Sequence, residues 1–314
     1  MERVCIIGNL NVDIIMGPLS QTPEWGKEKV VRYSQLRVSG QVGYTALALA
    51  NLGVEVSVIA NVGDDFYGRF VLREMKKSNI NIEGVKIVKN TSTGITVSLV
   101  NEKGERALVS YPGSMEYFTE RDIKEKWQLI EKCGYVVFNG YFLLPGLNFD
   151  VTSRLFARLQ NSGKTTILDT GWDPSDWPGR HIEEIKGLLK YTDIFLPNLD
   201  EAKVITGNRN PVEILNILAS LGPSKVAVKM GQEGSVAIED GKVCRQPSFK
   251  IKVTDTTGAG DVFNAGFLYG IMSSWDLKKT LKFATALASL YILSEGKVMS
   301  LSVEKVQSFL KSNI

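Results

Sequence analysis

Short, almost purely apolar runs recur along this chain, each separated from the next by a stretch with helical periodicity, and that rhythm narrows the fold more than any other feature. The runs are RVCIIG (3–8), VSVIANV (56–62), YVVFNG (135–140), TTILDT (165–170), DIFLPN (193–198) and KVAVKMG (225–231). Between them, residues 45–52, 68–78, 151–161 and 212–221 form amphipathic segments. A strand that is apolar on both faces is covered on both, and the helical stretch between two such strands supplies the crossover that parallel neighbours need. The alternation therefore predicts a doubly wound α/β structure with a mostly parallel central sheet. No Pro-, Gly- or Ser-rich linker, repeat or low-complexity tract interrupts it, so residues 1–314 read as one domain.

Two regions break the rhythm. Residues 11–19 and 29–40, and GITVSLVNEKGERALVSYPG (94–113), alternate polar and apolar with no helix between, and NEKGE supplies a hairpin turn. These read as antiparallel strands projecting from the main layer.

Composition excludes several classes of function. Net charge is +3 with no basic block, which gives no case for nucleic acid or a membrane surface. Cys5, Cys133 and Cys244 are scattered, fitting neither a disulfide framework nor a metal-ligand spacing. His181 is the single histidine; it follows WPGR in a polar stretch and reads as a surface residue. A multi-histidine metal site is thereby ruled out, and a Ser-His-Asp mechanism is disfavoured. RVCIIGNLNVD turns polar after a short apolar run, unlike a signal peptide, and no apolar stretch is long enough to span a bilayer. The expected address is the cytoplasm. Chemistry must come from carboxylates, backbone donors, lysine or a bound ion.

DTTGAGDVFNAGFLYG (255–270) combines such groups. FKIKV (249–253) ahead of it reads as a short strand, so the context is strand, tight turn, helix. In such a turn the N–H groups of Gly258, Ala259 and Gly260 lack helical partners, and with the helix dipole they form a site for a phosphate or a developing anion. Asp261 stands in the first helical turn beside them, placed to accept a proton from an attacking hydroxyl. A glycine turn with a helix-capping Asp is the plainer reading. The helix that follows is apolar nearly all round, and Gly266 and Gly270 mark a face for close backbone approach.

DTTGAGDVFNAG closely resembles the C-terminal signature of the PfkB (ribokinase-like) carbohydrate kinases. The resemblance implies a three-layer α/β/α fold whose extra strands, drawn from about 11–40 and 93–113, form a small sheet that lids the sugar site and often serves as a homodimer interface. It implies ATP and Mg2+, with Asp261 as catalytic base and the turn Gly258, Ala259 and Gly260 as anion hole. SGQVGYTALALANLG (39–53) is similar to the family's N-terminal signature, with Ser39 in place of a glycine and Tyr44 where Asn is common. That departure points to a changed acceptor, and Gly40 and Gln41 remain contacts.

In GNLNVDII (8–15), alternation sets Asn9, Asn11 and Asp13 on one face of an extended chain, as an edge strand with one wet face also would. The resemblance matches Asn11 and Asp13 to positions that hold substrate hydroxyls. Thr96 and, in FNGYF, Asn139 and Tyr141 are further sugar candidates. Asn198 and Glu201, three apart after a strand, form a capping box by themselves. In the family this N-x-x-E orders Mg2+ and phosphate-bound water, and Glu201 is the metal candidate. KVAVKMGQEGSVA resembles the segment that touches the nucleotide, bringing in Lys229, Gly231 and Gly234, with Thr256 beside the turn. Without the family, GQEG is a hairpin turn. Asp255 and Thr257 lie where many members set oxygens around a monovalent cation such as K+. The expected activity is ATP-dependent phosphorylation of a sugar or sugar-acid primary hydroxyl. A nucleoside kinase, with Tyr44 stacking on the acceptor, and an inactive sugar- or nucleotide-binding module are the alternatives. A Rossmann dehydrogenase is weaker, because no glycine fingerprint follows the first strand.

Overall fold

A computed structural model describes residues 2–253 and 255–313. Its strands are β1 (Val4–Gly8), β2 (Asn11–Leu19), β3 (Tyr33–Ser39), β4 (Val56–Gly63), β5 (Asn81–Val88), β6 (Gly94–Asn101), β7 (Arg106–Tyr111), β8 (Tyr135–Asn139), β9 (Thr165–Asp169), β10 (Ile194–Phe195), β11 (Lys225–Lys229), β12 (Ser235–Glu239) and β13 (Lys242–Gln246). The α-helices are α1 (Gly40–Asn51), α2 (Phe66–Lys77), α3 (Glu120–Glu125), α4 (Trp127–Glu131), α5 (Phe149–Asn161), α6 (Gly179–Leu189), α7 (Leu199–Thr206), α8 (Pro211–Ser220), α9 (Ala259–Met272), α10 (Leu277–Leu293) and α11 (Val303–Ser312).

Among the described residues a nine-stranded sheet runs in the order β13-β12-β11-β10-β9-β8-β1-β4-β5. It is parallel except for β12 and β13, which fold back antiparallel at one edge. Every apolar run singled out in the sequence lies in it. One core layer packs α1, α2, α9, α10 and α11 against one face, and a second packs α3 to α8 against the other. The alternating segments form a separate four-stranded sheet, β3-β2-β6-β7, antiparallel between β3 and β2 and between β6 and β7 as expected, but parallel where β2 meets β6, against the expectation. β2 begins almost where β1 ends, so the chain passes directly from the carboxyl end of the main sheet into the small one.

Three local expectations differ. Residues 249–253 form no strand; Phe249 anchors the segment against Phe309 on α11 while Lys252 stays exposed, so side-chain packing replaces a ladder there. α1 opens at Gly40, whose φ of +73° turns the chain in from β3, and a β-carbon there would meet the Asn9 carbonyl at 2.2 Å. His181 is half-buried rather than free at the surface. It pairs with Asp173 at 2.6 Å and stacks on Phe142 at 5.3 Å. No helix among the described residues is long and apolar enough to cross a membrane.

α9 and α10 pack closely because two glycines allow it. A β-carbon on Gly266 would sit 2.8 Å from the Ala284 backbone, and one on Gly270 would sit 2.7 Å from the Thr280 side chain. α9 is buried along most of its length, which holds its N-terminus rigidly against the sheet.

Candidate active site

The turn before α9 has its cap at Gly258, with φ +82° and ψ −4°. The Ala259 N–H donates to the Thr256 carbonyl at 3.1 Å, so it faces inward and leaves the expected set of anion-hole donors. The N–H groups of Gly258, Gly260 and Asp261 donate to nothing among the described residues, and they are the donors that remain. The turn is pressed against Tyr44: a β-carbon on Gly258 would meet that ring at 2.7 Å.

The Asp261 side chain is half-buried, and it makes no hydrogen bond or ion pair among the described residues. Burial first, and the Asp169 carboxylate second, push its pKa up from the usual carboxylate range to about 7, while Lys229 opposes them. A base that titrates near neutrality holds and releases a proton easily. Asp13 also raises it, so the two ends of the site are electrically coupled.

Beyond the carboxyl end of β1, β2 brings Asn11 and Asp13 beside Thr96 of β6, in register with Asp13. Asn11 Nδ2 donates to Thr96 Oγ1 at 3.0 Å. Burial raises the Asp13 carboxyl, partly countered by hydrogen bonds from Ser39 and Tyr44. The amide oxygens of Asn9, Asn11 and Asn139 and the hydroxyl of Thr170 are buried without a partner among the described residues. Buried acceptors of this kind call for hydroxyl or N–H donors. Asn139 Nδ2 donates to Thr45 Oγ1 at 3.2 Å, and the Gln41 side chain lies over Gly171.

Tyr44 is 3% exposed, donates to Asp13 Oδ2 at 2.7 Å and meets Tyr291 edge-on at 6.1 Å. Its ring has no face left for a base, so its place in this chain is to hold Asp13. Tyr141 is not part of the cluster: its hydroxyl donates to Glu184 on α6 at 3.3 Å and its ring packs against Phe142, in the opposite core layer.

On the other side of Asp261, Asn198 caps α7 as the spacing predicts, its Oδ1 accepting from the N–H groups of Asp200 and Glu201 at 2.9 Å. Both Glu201 oxygens accept in turn from Asn198, at 2.8 Å from the backbone and 2.7 Å from Nδ2. Burial and then Asp169 lift Glu201 to about 8. Lys229 is a paired cation: Nζ donates to Asp169 Oδ2 at 2.6 Å and to Asn264 Oδ1 at 3.2 Å, and lies 3.8 Å from where a β-carbon on Gly260 would stand. Asn264 Nδ2 donates to the same Asp169 oxygen.

Gly234, φ +93°, is required by the β11–β12 hairpin, since a β-carbon would overlap the Gln246 carbonyl at 2.1 Å; Gly231, φ +56°, faces open space. Thr256 Oγ1 accepts from Arg106 of β7. Thr257 N–H donates to Asp255 Oδ1 at 2.9 Å, while Asp255 Oδ2 accepts from Arg37 of β3 at 2.8 Å.

Sequence reasoning missed Asp169, Asn264, Arg37 and Arg106. Two of these had a signal: Asp169 ends an apolar strand run, where sheet ligands collect, and Asn264 is one helical turn beyond Asp261. The two arginines lie on alternating strands and carried none.

The acidic groups around Lys229 are of the kind that could hold a divalent cation together with a ligand's own oxygens. Asp169, Glu201 and Asp261 face a single ammonium, and carboxylate oxygens are the donors Mg2+ takes. With both its oxygens already accepting from Asn198, Glu201 suits contact through water. Among the described residues no group of three or more His, Cys, Asp or Glu side chains forms a ready-made metal cage.

A family described as pfkB family carbohydrate kinase matches residues 1–303. The 2-dehydro-3-deoxygluconokinase of Bacillus subtilis (strain 168) is 27% identical, the match covering 88% of this chain and 87% of that protein. The ribokinase of the same organism is 26% identical, over 94% of each. The fold is shared with Arabidopsis thaliana ribokinase complexed with ribose and ATP, with a TM-score of 0.81 at 24% identity over 99% of both chains. It is shared also with an E. coli protein solved with ATP and Mg2+, with a TM-score of 0.86 at 17% identity over 99% and 100%. Since the family match takes in both sheets and the glycine turn with its acid, the chain belongs to the pfkB family of carbohydrate kinases.

Proposed function

We propose that this protein transfers the γ-phosphoryl group of ATP to the primary hydroxyl of a sugar or sugar acid. One observation carries the reading: a carboxyl with no partner among the described residues, its pKa pushed up to about 7, stands beside peptide N–H groups that donate to nothing among those residues, and is coupled to Asp13, whose strand carries Asn11, one of the buried oxygen acceptors without a partner. Those acceptors would take the acceptor's hydroxyls. Asp261 accepts the proton of the primary hydroxyl as its oxygen bonds to the γ-phosphorus in line, and the bond to the β,γ-bridging oxygen breaks to release ADP. The N–H groups of Gly258, Gly260 and Asp261 donate to the phosphoryl oxygens as charge develops on them. Lys229, fixed by Asp169 and Asn264, lends positive potential beside Gly260 without leaving its partners. Mg2+, held through water at Glu201, would neutralise phosphate charge.

The buried Tyr44 ring weighs against a nucleoside acceptor, and the complete acid and turn weigh against an inactive binding module. The small sheet acts as a lid over the acceptor. All six residues of its edge strand β7 are exposed, including Leu108, Val109 and Tyr111, and a second copy paired there would cover them in a homodimer. The site gives no case for nucleic acid or a membrane, and the proposed setting is the cytoplasm as one domain. ATP turnover against pentoses, hexoses, 2-keto-3-deoxy sugar acids and nucleosides tests the function. Turnover with a sugar or sugar acid is expected; turnover with nucleosides alone would overturn the reading.

A further inference from the structure

Arg37 leaves the small sheet and enters the loop that leads into the glycine turn. Its side chain is 10% exposed, and that of Asp255 facing it is 5% exposed. Nη1 donates to Asp255 Oδ2 at 2.8 Å and to the Tyr291 hydroxyl at 3.4 Å. Nη2 donates to the Glu295 carbonyl at 2.8 Å and to Gln35 Oε1 at 2.6 Å, which also accepts from Nε at 3.0 Å. Gly296 lies flat under the group, since a β-carbon there would stand 2.1 Å from Nη1.

Oxygens of Asp255, Tyr291, Glu295 and Gln35 therefore converge on one point. Carboxylate, carbonyl and hydroxyl oxygens are the donors a hard metal ion takes. Here the point is filled by a guanidinium fixed to the chain. Two further bonds tie the cage to the turn: the Tyr291 hydroxyl donates to the Thr257 carbonyl at 2.7 Å, and Asp255 Oδ1 accepts from Thr257 N–H. The expectation that Asp255 and Thr257 flank a monovalent cation does not fit, because the Asp255 charge is already matched and its outward oxygen already taken.

We propose that Arg37 is a built-in cation that takes the place of a bound monovalent ion, holding Asp255 and through it the turn at Thr257 and Gly258, so that this enzyme works without K+. Arg37 is a positioning residue, reaching the reacting atoms only through Asp255 and Thr257. The inference rests on the kinase reading for its rate measurements and is independent of it for the melting curves.

The test compares turnover and Tm in K+, Na+ and choline chloride at equal ionic strength, for the wild type, Arg37→Ala and Arg37→Lys. Wild-type rates are expected to agree within about twofold across the three salts. Arg37→Ala is expected to be about tenfold or more slower in choline, with the rate recovering on adding K+ or millimolar guanidinium. Its Tm is expected to rise with K+, because an ion that binds only the folded state stabilises it. Arg37→Lys is expected to be intermediate in rate and indifferent to the salt. Strong activation of the wild type by K+ would overturn the proposal. So would a folded Arg37→Ala whose rate and Tm ignore every cation. Should Arg37→Ala fail to fold, the wild-type and Arg37→Lys responses still decide. A protein that phosphorylated no sugar would still report through its melting curves, so the two readings fail separately.

Discussion

Lys229→Met removes the ammonium from a buried group of carboxylates, and the consequences can be worked out in two steps. The first is stability. Nζ stands 2.6 Å from Asp169 Oδ2, with the side chains 13% and 3% exposed. Removing one partner of a buried pair costs about 3–5 kcal/mol, because the other charge is left uncompensated. At an unfolding entropy of about 2.1 cal/mol/K per residue, 314 residues give about 0.66 kcal/mol/K, so Tm should fall by roughly 5–8 °C. The second is the base. Burial and Asp169 hold Asp261 at about 7 against the pull of Lys229. A unit charge within about 10 Å is worth roughly 1.7 kcal/mol at an effective dielectric of about 20, or about one pH unit. The acid limb of the kcat/KM profile should therefore move from about 7 toward 8 or above. Differential scanning calorimetry and a kcat/KM profile in ATP and acceptor measure both. Lys229→Met combined with Asp169→Asn removes both charges, and should recover most of the stability and bring the inflection back down. A Lys229→Met enzyme with the wild-type inflection and wild-type Tm would refute the reasoning.

Three further outcomes are expected. Gly258→Ala must place a side chain at φ +82° and against the Tyr44 ring at 2.7 Å. The conformation alone costs about 1–2 kcal/mol, and kcat should fall by more than tenfold with the shifted donor, read by steady-state kinetics. Tyr44→Phe removes the donor to Asp13 at 2.7 Å and leaves a buried acceptor short of a partner. That loss is worth about 1–3 kcal/mol and should appear as a raised KM for the acceptor with little change in KM for ATP. Glu201 has a folded-state pKa of about 8, above its unfolded value, so its contribution to stability is complete at low pH and is lost as pH rises through 8. Glu201→Gln should melt at or above the wild-type temperature at pH 9, with no such advantage below the ordinary glutamate value of 4.5, while its half-saturating Mg2+ concentration rises.

Much of the architecture was legible because strands apolar on both faces and amphipathic helices leave different periodicities, and the small sheet announced itself by breaking them. The glycine turn and its acid were legible because phosphate chemistry needs backbone donors where side chains cannot fit. Residues 249–253 misled because alternation describes a half-buried extended segment whether or not a neighbour offers a ladder. Ala259 misled because composition marks a turn, while only the hydrogen bond to Thr256 shows which N–H faces inward. His181 misled because exposure is decided by tertiary packing, here an aromatic cluster with Phe142, Tyr141 and Trp177. Arg37 and Arg106 were invisible because each meets its partner from more than a hundred residues away.

Replacing one oxygen of the acid at position 261 probes the account most directly. Asp261→Asn keeps shape and the backbone N–H donors but cannot take a proton. Turnover should drop by about 10²–10⁴-fold, the share a positioned general base contributes, while calorimetry still finds nucleotide binding at near wild-type affinity. An Asn variant that turns over ATP and acceptor within a fewfold of the wild type would contradict it.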